Sequence, residues 1–246
     1  MAPESTAPVS AAAAPPVLEL RGVRAAYGRI EVLHGVDLVV PHGTILGIVG
    51  PNGAGKSTTL ATISGQLVPT GGTVHMTGVE VTGAAPEALA RAGVCTVPEG
   101  RGVFPNLTVD ENLLMSTHGG TTAAHVRDVA FGQFPQLAAR RHLLAGRLSG
   151  GEQQMLALAR GLATEPALLL LDELSMGLAP RVVDELYGEV ARLTAVGVSV
   201  VVVEQFAGFV LGVADQVAVM ANGEVRACGS PTEMAEHLHG AYLGAP

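Results

Sequence analysis

Nine residues, Gly50-Pro51-Asn52-Gly53-Ala54-Gly55-Lys56-Ser57-Thr58, constrain this chain more than any other stretch. They fit G-x-x-x-x-G-K-[ST], with an apolar run, Thr44 to Val49, before them and a helix-compatible stretch, Thr58 to Ser64, after them. That strand-loop-helix context is the one the pattern needs. The glycines let the backbone turn its N–H groups inward onto phosphate oxygens, and the positive end of the following helix dipole adds to the field. Lys56 is placed to reach β- and γ-phosphates. Ser57 offers a hydroxyl to Mg²⁺, a cation that keeps several waters and takes few protein ligands. Alone, the string also fits a tight strand-to-helix turn with a surface lysine, so the decision falls to the rest of the chain.

Two further stretches tip it. Leu168-Leu169-Leu170-Leu171-Asp172-Glu173 ends a buried strand in two carboxylates. Beside a phosphate loop, an aspartate there holds the Mg²⁺ shell, and Glu173 is positioned to orient or deprotonate an attacking water. Leu148-Ser149-Gly150-Gly151-Glu152 opens a helix: Ser149 can cap it, and the two glycines leave backbone N–H groups bare at its N-terminus, a second anion site. Isolated, either string is ordinary, a solvated carboxylate pair or a capped helix start. Their order after the phosphate loop gives them weight.

Charge narrows the partners. Acidic residues outnumber Lys and Arg by 22 to 14, for a net charge of −8, which opposes a sequence-independent grip on nucleic acid. Only Cys95 and Cys228 are present, both in apolar neighbourhoods, so a disulfide framework is unsupported and a reducing compartment is expected. The longest apolar runs, Ala167 to Leu171 and Val200 to Val203, fall far short of a membrane span.

The pattern predicts an α/β fold with a mainly parallel sheet, since strands alternate with helices. Residues 1–16, rich in Ala, Pro and Ser, read as a disordered lead. Val17 to Arg21 and Val36 to Val40 read as strands of a small antiparallel sheet, and Thr73 to Met76 as another short strand, with His75 half-exposed on it. Pro86 opens a helix, and Val94 to Val97 is a strand ended by Pro98. Between Leu107 and Leu148 the pattern is helical, with Thr108 and Glu111 forming a capping box; residues 99–161 are expected to be a helical subdomain inserted into a core of 17–98 and 162–246. Pro180 starts a helix with Val182, Val183, Leu186, Val190 and Leu193 on one face. Val198 to Val203 is the next buried strand, Asn222-Gly223 signals a hairpin, and Pro231 opens a last helix.

Taken together, the three motifs resemble those of the ATP-binding cassette ATPases, over Val17 to Pro246. The resemblance implies a P-loop ATPase core with an antiparallel β subdomain, ATP and Mg²⁺ as cofactors, and a head-to-tail dimer. Each ATP would lie between one subunit's phosphate loop and the other's Ser149, Gly150, Gly151 and Glu152. It further implies that Tyr27 stacks on adenine, that Lys56, Glu173 and Gln205 are catalytic, and that Ser57, Asp172 and Glu99 serve the metal. Val97 to Leu113, Gly177-Leu178-Ala179-Pro180 and Val203-Glu204-Gln205 look like the smaller ATPase subunit of bacterial branched-chain amino acid importers. That likeness implies a second ATPase subunit, two membrane permeases, a periplasmic or lipid-anchored solute-binding protein, and a place on the cytoplasmic face of the membrane.

Four positions depart from the general cassette pattern. Glu99 stands for a glutamine, adding charge near the triphosphate. Leu174 replaces a proline and is expected to loosen the turn after Glu173. Leu178 falls where an aspartate couples the two sites, and Gln205 where a histidine senses the γ-phosphate. The last two point to a heterodimer with unequal sites. Alternatives are a urea or amide importer or a lipid or polysaccharide exporter. A soluble cassette acting on nucleic acid is disfavoured: Lys56 and Ser149 are too close for an inserted coiled coil, and the chain has one ATPase domain, not two. The stretch Glu99 to Asn106, with Arg101, Val103, Phe104 and Pro105, is read as a docking loop, against the alternative that Phe104 fills the subdomain's own core.

Overall fold

The computed structural model describes residues 14–100, 102–117 and 121–236. Most of the N-terminal lead, Arg101 and the C-terminal ten positions lie outside them. The chain runs β1 (Leu18–Tyr27), β2 (Ile30–Val40), β3 (Ile45–Val49), α1 (Lys56–Ile63), β4 (Gly71–Met76), β5 (Val79–Glu80), α2 (Pro86–Arg91) and β6 (Val94–Val97). Among the described residues between β6 and β7 the elements are α3 (Val109–Leu114), α4 (Ala123–Gln133), α5 (Pro135–Ala138), a 3-10 turn and α6 (Gly150–Leu162). Then come β7 (Leu168–Asp172), α7 (Pro180–Ala195), β8 (Ser199–Glu204), α8 (Ala207–Leu211), β9 (Gln216–Ala221) and β10 (Glu224–Gly229). A further helix opens at Pro231. No helix among the described residues is long and apolar enough to cross a membrane.

The larger sheet has the order β10-β9-β3-β8-β7-β6, parallel throughout except for the β10–β9 hairpin. Its central strands are covered on both faces, which is why they read as unbroken Leu, Ile and Val runs. Successive residues alternate between two cores. Ile45, Val49, Leu169, Leu171, Val200 and Val202 face the layer built with α6 and α7. Leu46, Ile48, Leu168, Leu170, Val201 and Val203 face α1 and the antiparallel sheet β2-β1-β4-β5.

The antiparallel strands are longer than the sequence predicted. β1 and β2 form one hairpin from Leu18↔Val40 to Tyr27↔Ile30, turning at Gly28 with φ +61°. Register shifts after Leu20, Val23 and Ala25 break the period-two alternation, so the middle of each strand showed no pattern. Helix starts followed local rules more closely. Thr108 accepts from the Glu111 N–H while Glu111 accepts from the Thr108 N–H, closing the expected capping box. On α7 Val183, Leu186, Val190 and Leu193 are buried, and Tyr187 joins them. Cys228, expected in apolar surroundings, is exposed on β10; Cys95 is half-buried.

Candidate nucleotide site

The C-terminal ends of β3, β6, β7 and β8 carry the phosphate loop, Glu99, Asp172-Glu173 and Glu204-Gln205 respectively, the edge at which parallel sheets bind ligands. A cleft of about 360 Å³ there is lined by Asn52, Gly53, Gly55, Lys56, Ser57, Thr58, Glu99, Glu173, Met176, Gln205 and Val32. Gly50 permits the tight turn out of β3, since a Cβ there would lie 2.2 Å from the Met220 carbonyl oxygen. Across the loop, the Gly223 N–H donates to the Ala54 carbonyl (2.9 Å), so the β9–β10 hairpin props it from behind.

No side chain caps α1, whose N-cap is Gly55 in a left-handed conformation. Its first N–H groups are therefore free to meet an anion, and the dipole favours negative charge there. Lys56 is 4 % exposed, with Nζ donating to the Gly50 (3.0 Å) and Pro51 (3.2 Å) carbonyls and 4.0 Å from a Glu173 oxygen. The Ser57 hydroxyl donates to Asp172 Oδ1 at 3.2 Å. A hydroxyl beside one carboxylate, next to bare helix amides and an ammonium, fits a triphosphate with a hard divalent cation.

Glu173 is one of four non-glycine residues with positive φ among the described residues, at +47°. This left-handed backbone is uncommon for such a residue and is held by its N–H donating to the Val203 carbonyl (2.9 Å). Burial pushes its carboxyl up from the usual range; Lys56 opposes this, while Glu99, Asp172 and Glu204 reinforce it. Asp172 is raised as well, by burial first, with the Ser57 hydrogen bond opposing. Both shifts follow first from desolvation at a partly dry strand end, with the neighbouring carboxylates adding to it and the Lys56 ammonium opposing it.

Leu174 departs from expectation. In place of a loosened turn, its side chain is 1 % exposed in the core, and its carbonyl accepts from Gln154 Nε2 at 3.4 Å. Leu178 packs against the same core. Ser149, Gly150, Gly151 and Glu152 do not line the cleft. Ser149 caps α6, and Glu152 bonds the Ser149 N–H (2.9 Å) and pairs with Arg140 (3.0 Å), so its carboxylate is occupied in the cap. Tyr27 stands 54 % exposed at the end of β1, outside the cleft lining. Phe104 is 43 % exposed, with the Arg160 guanidinium 4.9 Å from its ring centre, and it takes no part in the buried core. Sequence reasoning gave no role to Glu204 or Gln154. A lone carboxylate closing the all-valine end of β8 was the available signal for the first.

The family model described as ABC transporter matches residues 33–175. The chain is 40 % identical over 224 residues to a high-affinity branched-chain amino acid transport ATP-binding protein, BraG, of Pseudomonas aeruginosa, covering 89 % of this chain and 95 % of that one. It is 33 % identical to a probable branched-chain amino acid transport ATP-binding protein, LivF, of Archaeoglobus fulgidus, covering 87 % and 92 %. Among solved structures it is similar to the ADP conformation of MJ1267, an ATP-binding cassette of an ABC transporter, with a TM-score of 0.84 and 26 % identity over 94 % of this chain and 99 % of that one.

Proposed function

The chain belongs to the ABC transporter family, and from that membership we propose that it is the ATP-hydrolysing subunit of an importer for branched-chain amino acids. The observation that carries the ATPase half is the meeting of Lys56, Ser57, Glu99, Glu173 and Gln205 around one cleft at the sheet's C-terminal edge, with Asp172 bonded to Ser57. The substrate half is supported by the likeness to BraG and LivF. In this reading the loop amides and Lys56 hold the phosphates, and Ser57, Asp172 and Glu99 would hold Mg²⁺. When bound, Mg²⁺ would neutralise charge developing on the γ-phosphate. Glu173 orients and deprotonates the attacking water, and Gln205 donates a neutral hydrogen bond toward the γ-phosphate. Tyr27 stacks on adenine, and Ser149, Gly150 and Gly151 complete the site of a second ATPase subunit.

That subunit, two membrane permeases and a solute-binding protein are the proposed partners, which places this chain on the cytoplasmic face of the membrane. A strain lacking the chain should lose ATP-dependent uptake of radiolabelled leucine, isoleucine and valine, and regain it with the wild-type copy. Unchanged uptake of all three, with loss of another solute, would overturn the substrate assignment and leave the ATPase reading standing.

Phe104 supports a docking role for its loop. Its exposure argues against service in the subdomain core, and an exposed ring stacked on a guanidinium is a common interface anchor. Phe104→Ala should leave ATP affinity unchanged and weaken co-purification with the permeases by about tenfold, a loss of roughly 1–2 kcal/mol. A variant that fails to fold would instead assign Phe104 to the subdomain's own stability. Arg101, in the same stretch, lies outside the described residues.

A further inference from the structure

Glu204 follows the last valine of β8 and is 1 % exposed. Among the described residues no ion pair reaches it. A buried carboxylate without a counter-ion is costly unless hydrogen bonds replace its water. Here three donors do so. The Ser175 N–H (2.8 Å) and the Tyr187 hydroxyl (2.6 Å) donate to Oε1, and the Ser175 hydroxyl donates to Oε2 (2.7 Å). Tyr187 sits on α7, 2 % exposed, its hydroxyl held protonated by burial and by the adjacent carboxylate.

These bonds have a direction. The Glu173 N–H is fixed to the carbonyl of Val203, and Ser175, two residues later, is fixed to the side chain of Glu204. The left-handed turn at Glu173 is thus pinned to consecutive residues of β8, with Gln154 of α6 holding the Leu174 carbonyl from the other side. Gln205, which lines the cleft, is the next residue along.

We propose that Glu204 is a positioning residue for ATP hydrolysis: by gripping Ser175 it fixes the turn that aims Glu173 into the cleft, and it fixes where Gln205 starts. This rests on the roles assigned above to Glu173 and Gln205. The chemistry of the grip predicts which replacements work. Alanine leaves the Ser175 N–H and two hydroxyls buried without an acceptor. Glutamine keeps an oxygen for the Ser175 N–H and for Tyr187, and its NH₂ can donate to the Ser175 hydroxyl, which also accepts.

The test is single-turnover hydrolysis of Mg-ATP by the full-length chain paired with its partner ATPase subunit, the partner's own catalytic glutamate replaced by glutamine, with nucleotide affinity measured in parallel. Glu204→Ala should lose about 100-fold in rate, the cost of a roughly 1 Å misplacement of a reacting group, with ATP affinity little changed. Glu204→Gln should recover most of that rate. Ser175→Ala and Tyr187→Phe, which keep the buried shape, should each slow hydrolysis at unchanged affinity, and they carry the test if Glu204→Ala does not fold. Parent rates in both of those variants, or a Glu204→Gln no faster than Glu204→Ala, would overturn the proposal. Glu173→Gln serves as control. If it is inactive while Glu204→Ala is fast, only the positioning role falls; if it turns over normally, the assignment of Glu173 falls and this inference with it.

Discussion

Glu173→Gln should bind Mg-ATP as the parent does and hydrolyse it about 10²–10⁴-fold more slowly in a single turnover at its own site, the usual worth of a positioned general base. Glutamine matches glutamate in shape, and the turn it sits on is held by backbone: the residue-173 N–H to Val203, and Ser175 to Glu204. Geometry therefore survives while the proton acceptor is lost. Hydrolysis at the parent rate would remove Glu173 from the chemistry. In the proposed heterodimer the same variant also reports on asymmetry. Gln205 cannot become a cation as histidine can, and a neutral hydrogen bond nets about 1 kcal/mol less than a charged one, several-fold in rate. Removing the partner's catalytic glutamate should then slow the pair more than Glu173→Gln does. Equal losses would favour symmetric sites.

Lys56→Ala should lose about 10- to 100-fold in ATP affinity, measured by titration of a fluorescent ATP analogue. Charge-assisted hydrogen bonds to phosphate are worth about 1.5–3 kcal/mol, and each 1.4 kcal/mol is tenfold. Among the described residues no second lysine or arginine lines the cleft, so none of them substitutes for the lost charge. The same ammonium lies 4.0 Å from a Glu173 oxygen and offsets its negative charge, so its removal leaves a bound triphosphate beside carboxylates without that compensation. Unchanged affinity would sink the phosphate-loop assignment.

What the sequence revealed and what it hid divide by range. The phosphate loop, the Asp172-Glu173 strand end and the Ser149 cap are each a few residues at fixed spacing, and local chemistry dictates them. The unbroken Leu168 to Leu171 and Val200 to Val203 runs announced strands buried on both faces, and the parallel order agrees. Glu204 escaped notice because its meaning lies in Ser175 and Tyr187, 29 and 17 positions away. The full β1–β2 hairpin was hidden by its own bulges. Leu174 was misread as a loosening because its burial depends on a core built from distant helices and strands.

The position of β3 bears on how the subunit is made. Its neighbours in the sheet are β8 and β9, and the Ile45 N–H bonds Asp215, 170 positions onward. At roughly 5–20 residues per second of synthesis, the nascent strand waits on the order of ten to thirty seconds for its partners. Throughout that interval an apolar segment destined for complete burial is on offer to any other unpaired edge. The hairpin that props the loop arrives later still, so a ribosome-stalled fragment ending short of Gly223 holds the whole phosphate-loop sequence and lacks the support behind it.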